Sequence, residues 1–203
     1  MYKLLKGELP QLPDAVRPIG NSLIAAGPRL YRRIMRAGST HPGAAKARCH
    51  GDYHLGQAWL SNNDFLITNY GGEPGCPWAE RRWKHTPLRD VAGMLFSFSE
   101  GAEAALGHVH PTAGSLETGA ALRQLVEDWQ ALAMRDFFRS YRKAMKGHTL
   151  FPSNARAADA LITLFLIEKA TTSLNSALQQ HSKTAGPAMR RLIQLSQLTQ
   201  RKR

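Results

Sequence analysis

His50-Gly51-Asp52-Tyr53-His54-Leu55-Gly56-Gln57 is the stretch on which the reading of this chain turns. An aspartate stands between two histidines in a glycine-containing, turn-forming frame, and an amide side chain follows five positions after it. Downstream, Gln57-Ala58-Trp59-Leu60 and Phe65-Leu66-Ile67-Thr68 flank the polar turn Ser61-Asn62-Asn63-Asp64, which predicts a β-hairpin over residues 57–68. Residues 69–87, rich in Gly and Pro at their start, are expected to be irregular. Val91, Met94, Leu95 and Phe98 then recur at helical spacing between Arg89 and Leu106. His108 to Gly119 reads as a connector. From Ala120 to Lys146, Leu122, Leu125, Trp129, Leu132 and Phe137 define one face of a long helix. Ser153 or Asn154 is placed to cap a further helix running to about Gln180, Gly186-Pro187 breaks it, and a short helix from Ala188 to Leu198 follows.

Upstream, residues 14–37 read as a helix region limited by Pro18 and Pro28, followed by a loop from Gly38 to Gly43 and a strand-like approach to Cys49. With 203 residues, 43% of them hydrophobic, the chain has material for one domain or one large lobe with an apolar core. No stretch approaches the ~20 apolar residues that span a bilayer. The opening Met1-Tyr2-Lys3-Leu4-Leu5-Lys6 lacks a signal-peptide core, so a cytoplasmic location is expected. Two cysteines, Cys49 and Cys76, are too few for a disulfide framework or a zinc site, and inert thiols are expected. The net charge is +12. Cations cluster at Arg29 to Arg36, Arg81 to Arg89, Arg135 to Lys146 and in the tail Arg201-Lys202-Arg203. No zinc-finger spacing, RNP motif or Gly-x-x-Gly clamp accompanies them, so solvated helix faces are the first reading and non-specific polyanion binding the second. The tryptophans are expected mostly in the core or as loop anchors.

Taken together, the blocks resemble a known family. The octapeptide, the hairpin, Asn69-Tyr70-Gly71-Gly72-Glu73-Pro74, Ala79-Glu80-Arg81-Arg82, Thr86-Pro87-Leu88-Arg89-Asp90-Val91-Ala92-Gly93-Met94-Leu95 and Phe165-Leu166-Ile167-Glu168-Lys169-Ala170 are similar to the maltokinases, including the kinase domains fused to trehalose synthase. These belong to the aminoglycoside-phosphotransferase-like group of the protein-kinase-like superfamily. The family pattern is H-G-D-Y-H-L-G-Q, then D-F-E-G-E-P, L-A-E-R-R and S-P-L-R-D-V-A-G-M-L. The likeness covers roughly residues 48 to 195.

This resemblance implies a mainly α (α+β) fold: the C-terminal helical lobe of a protein-kinase-like fold, with a small β-hairpin at its catalytic edge. It divides the chain into a helical segment and loop over 1–47, a catalytic lobe over 48–200 and a basic tail over 201–203. It implies ATP-dependent phosphorylation of maltose to maltose 1-phosphate, with Mg²⁺ and ATP as cofactors. Asp52 is the implied base that positions the acceptor hydroxyl and takes its proton, and Gln57 and Asn69 are the implied metal ligands. Lys169 and Glu73 are expected at the substrate. His50, His54, Arg89 and Asp90 are expected to brace the loop, with Arg89 and Asp90 in a buried ion pair or hydrogen-bond network.

Three departures weigh against full activity. Asn69 stands where the family has an aspartate, and a neutral amide is a poor substitute for the carboxylate that Mg²⁺ favours. Thr172 and Ser176 replace the tyrosines that line the family's sugar pocket. Residues 1–47 contain neither a Gly-rich phosphate loop nor a V-A-I-K-like lysine, so the N-terminal nucleotide lobe is expected to be missing. A separate nucleotide lobe or trehalose synthase is then an expected partner. Two alternatives stand beside the sugar kinase: a non-catalytic kinase remnant acting as an interaction partner, and a basic polyanion-binding protein. The bland reading of Asp52 is a loop aspartate that caps its own turn.

Overall fold

A computed structural model of the chain describes residues 1–39, 45–108, 116–180 and 185–197. Most of the His108–Gly119 connector, part of the Gly38–Gly43 loop, the end of the last helix at Leu198 and the basic tail lie outside the described residues. The chain is mainly helical and divides into two compact units, Met1–Pro42 with Asn154–Arg203, and Gly43–Ser153.

The first unit is built from α1 (Tyr2–Glu8), α2 (Arg17–Gly38), α6 (Ala155–Gln179) and α7 (Ala185–Gln197). α2 packs on both α6 and α7, and α1 rests on α6. Leu5, Leu23, Leu30, Leu174, Met189 and Leu192 are essentially removed from water and form its core. Alanines at 157, 158, 160, 170 and 177 are buried along α6, so small side chains let neighbouring backbones approach several of its sides. That is why α6 shows little one-sided patterning in sequence. Asn154, rather than Ser153, is its cap: the side-chain oxygen accepts from the Arg156 N–H at 2.9 Å.

Prolines interrupt less than the sequence suggests. Pro18 sits in the first turn of α2, where its missing N–H is no loss, and α2 runs on through Pro28 at an exposed position. Likewise α7 starts at Ala185, so Gly186-Pro187 fall in its first turn instead of before it. The helix Tyr2–Glu8 was hidden in sequence by its shortness.

In the second unit, β1 (Ala58–Ser61) and β2 (Asp64–Ile67) pair antiparallel, with Ala58 opposite Ile67 and Ser61 opposite Asp64. Asn62 and Asn63 both take the left-handed conformation, with φ of 48° and 62°, the signature of a two-residue turn matched to strand twist. A short α3 (Trp78–Arg81) lies in the stretch expected to be irregular, and α4 (Leu88–His108) packs on α5 (Leu116–Ala144). Leu88, Val91, Ala92, Met94, Leu95 and Phe96 bury the first half of α4. Phe98 meets Trp129 and Phe137 edge-on, with ring centroids 6.2 and 5.9 Å apart.

Two expectations of burial fail. Leu125 on α5 is 64% exposed and Leu132 48%, so the apolar stripe of that helix is only partly covered. Trp59, Trp78 and Trp83 are each more than half exposed and so outside the core, while Trp78 stacks on Arg81 as a loop anchor would. Periodicity reports a face capable of burial, and a neighbour must still be present to bury it.

Candidate active-site loop

The loop 50–57 is held from beneath by α4. The Asp90 carboxylate accepts two backbone N–H groups, from His50 at 2.7 Å and Gly51 at 2.9 Å. Charge-assisted bonds of this kind are roughly twice as strong as neutral ones. Asp90 thus holds the loop through its backbone, and the Arg89 guanidinium lies 3.2 Å from His85 Nε2. Farther along, Ser97 Oγ accepts from the Leu55 N–H at 3.0 Å and donates to the Met94 carbonyl. Gly93 lets α4 come close: a Cβ there would stand 2.6 Å from the Tyr53 carbonyl oxygen.

Gly51 has φ +84°, and a Cβ on it would lie 3.2 Å from Gly72 Cα and 3.9 Å from the Glu73 backbone nitrogen. Only glycine meets both demands. The Gly72–Glu73 backbone therefore lies against the loop, and Arg81 gathers that segment by donating to the carbonyls of Gly71, Pro74 and Cys76. Its guanidinium also stacks 4.5 Å from the Trp78 ring.

His50 is buried, and its two nitrogens have separate duties. Nδ1 accepts from the Asp52 N–H at 3.3 Å, so the proton is on Nε2, which donates to the Thr68 carbonyl at 2.7 Å. One imidazole thereby fixes the backbone of Asp52 and ties the loop to the end of β2. Tyr53 and Tyr70 place their rings 5.6 and 5.0 Å from it.

The side chains expected at the chemistry come together in a row. Asp52, 21% exposed, has Oδ2 3.8 Å from His54 Nε2. His54 Nδ1 accepts from the Gly56 N–H, so neutral His54 carries its proton on Nε2. The Gln57 amide lies 3.3 Å from the same Nε2. Asn69, in the left-handed conformation at φ 59°, donates from Nδ2 to Gln57 Oε1 at 2.8 Å, and Thr68 Oγ1 adds a bond at 3.2 Å.

Gln57 and Asn69 therefore meet as the metal-ligand reading required, but they bond to each other. Turning both amides by 180° gives Gln57 the acceptor that His54 Nε2–H needs, and again consumes one amide oxygen inside the pair. Neither residue brings negative charge, and no group of three or more His, Cys, Asp or Glu suited to a metal occurs among the described residues. This donor set does not fit Mg²⁺, which favours carboxylates together with phosphate oxygens.

Glu73 is half-buried in a turn whose carbonyl accepts from the Cys76 N–H. Lys169 lies on α6 in the first unit and is half-buried. Ser97, Thr68 and Arg81 were missed as loop supports. A lone serine inside the apolar run Val91 to Phe98 was the available signal for the first of them. Around Asp90 the acids are held neutral: burial, then the Asp90 charge, pushes the Cys49 thiol up to about 11, and the same two causes raise Tyr53. Both cysteines are free thiols.

No protein-family model matches the chain. Solved structures of glucosamine kinase do resemble it. One crystal form superposes with a TM-score of 0.71 over 97% of this chain and 44% of that one, at 20% identity. Another gives 0.70 over 95% and 42%, also at 20%. A glucosamine kinase in complex with glucosamine, ADP and inorganic phosphate gives 0.70, 95%, 44% and 20%. The chain spans less than half the length of these neighbours, and likeness at this identity speaks for the fold. No described helix is long and apolar enough to cross a membrane. A mainly helical fold with a small two-stranded hairpin, similar to part of the glucosamine kinase structures, is what sequence and structure together establish.

Proposed function

We propose that this chain carries the acceptor-side half of an ATP-dependent sugar phosphotransferase, of maltokinase type, with Asp52 as the catalytic base. The supporting observation is the presentation of Asp52. Its N–H is held by the His50 ring and the two preceding N–H groups by Asp90, while its carboxylate stays partly open, 3.8 Å from His54 Nε2. A sugar hydroxyl placed against that carboxylate would give up its proton to Asp52 as its oxygen bonds to the γ-phosphorus of ATP and ADP departs. His54 acts as a positioning group that holds the Asp52 carboxylate in one orientation. Maltose is the acceptor that the sequence motifs favour, and glucosamine is the competitor suggested by the neighbours. A further nucleotide-binding lobe, as part of the same protein or from a partner such as trehalose synthase, completes the donor side. Any Mg²⁺ would be held chiefly by the nucleotide phosphates, since the Gln57–Asn69 amides bring no negative charge.

The test is phosphate transfer from ATP to maltose and to glucosamine by the chain together with its nucleotide-binding lobe, with Asp52→Asn as the control. Loss of about 10²- to 10⁴-fold in kcat with little change in KM is expected. Transfer that ignores the substitution removes Asp52 from the chemistry.

A second reading, a non-catalytic binding protein that keeps the kinase lobe, is favoured by the Asn69–Gln57 amide pair. Asn69→Asp separates the two. With the nucleotide-binding lobe present, the new carboxylate strengthens Mg²⁺-dependent ATP binding under the first reading; under the second, isothermal titration shows no gain.

A further inference from the structure

The C-terminal end of α5 has no role in the loop. Upstream on this helix, Asp136 pairs with Arg135 at 2.9 Å and Arg139 at 3.3 Å. Past that point the pattern changes. Arg142, Lys143, Lys146 and His148 all line one cavity of about 740 Å³, and no carboxylate is among its lining residues. Gly147, at φ +80°, reverses the chain so that residues 148–153 fold back beside the helix end. The reversal is tied by backbone bonds from His148 N–H to Met145, Phe151 N–H to His148 and Ala45 N–H to Thr149, at 2.9–3.0 Å. Phe151 and Ser153 complete the lining, with the Phe151 ring held 6.0 Å from Tyr141.

Basic side chains in the last turn of a helix offset its negative pole, which accounts for Arg142 and Lys143. It does not account for Lys146, which lies beyond the helix on the same cavity; His148, whose Nδ1 accepts from the Leu150 N–H at 3.2 Å, braces the reversal. Arg142, Lys143 and Lys146 together give the cavity a basic rim that attracts an anion. Arginine suits the fork of a phosphate, lysine adds charge, and the hydroxyls of Thr149 and Ser153 can hydrogen-bond a polyol. The volume is that of a small-molecule site. A nucleic-acid track would continue the charge along α5, whereas Asp136 breaks it.

We propose that this cavity binds a small phosphomonoester, a sugar phosphate by chemical class, at a site separate from the Asp52 loop. It stands whether or not the loop is catalytic, because it uses none of the loop's residues.

Isothermal titration of the full chain with glucose 6-phosphate, inorganic phosphate and glucose tests it. One saturable site is expected for glucose 6-phosphate, weaker binding for phosphate and none for glucose. Lys143→Gln combined with Lys146→Gln should lower the affinity at least about tenfold. Arg123→Gln, the removal of one positive charge at the exposed far end of α5, should leave it unchanged. All three side chains are exposed, and an unchanged circular dichroism spectrum confirms the fold. Several results overturn the proposal: no saturable binding, an affinity indifferent to the lysine changes, loss of binding in Asp52→Asn, or displacement of the sugar phosphate by a single-stranded oligonucleotide that binds more tightly.

Discussion

The helical core of the first unit and the loop of the second are held by different physics. In the first, Leu174, Met189 and Leu192 contribute apolar area, and any similar hydrophobic residue of the same volume would do nearly as well. In the second, Asp90, His50, Ser97 and the glycines at 51 and 93 each make a contact that no substitute reproduces. The apolar core is therefore tolerant in identity and costly to empty. The loop is cheap in total energy and intolerant in identity, which is the distribution expected of a chemical site set on a scaffold.

Emptying the core gives the largest expected effect on stability. Leu192→Ala, at a side chain with no exposure, should cost about 2–5 kcal/mol in urea unfolding followed by circular dichroism. A loss below ~1 kcal/mol would mean the helices are not held by packing. Asp90→Ala strikes the loop: two N–H groups lose their acceptor, for about 2 kcal/mol. Hydrogen exchange should show the amides of His50 and Gly51 losing protection while those of α6 and α7 keep theirs. Equal loss in both regions would erase the contrast drawn here.

The smallest effect concerns the thiol beside Asp90. Because burial raises Cys49 from 9.0 to about 11, its alkylation should remain slow at pH 8 and accelerate only as pH nears 11. The linked stability has a definite sign. The folded chain holds the thiol proton more tightly, so this contribution is intact below pH 9 and is lost as pH rises from about 9 to about 11. Rapid labelling of Cys49 in the folded chain at pH 8 would show that the loop opens locally.

Much of this was legible in the residues. The hairpin was announced by two apolar runs around Asn62-Asn63, and α4, α5 and α6 by their spacing and by the cap at Asn154. These signals are local, written within one helical turn or one tight reversal. The Asp52–His54–Gln57 row was also visible, since its members are neighbours in sequence.

Other features depend on partners far apart along the chain. That Asp90 grips the loop forty residues upstream through two backbone amides, that Asn69 spends its amide on Gln57, and that Trp59, Trp78 and Leu125 stay exposed are properties of the folded arrangement. So is the gathering of Lys146 and His148 with Ser153 around one cavity. Composition and periodicity say which groups need a partner. Whether a partner arrives, and whether it is a carboxylate, another amide or water, is decided by the path of the backbone in three dimensions.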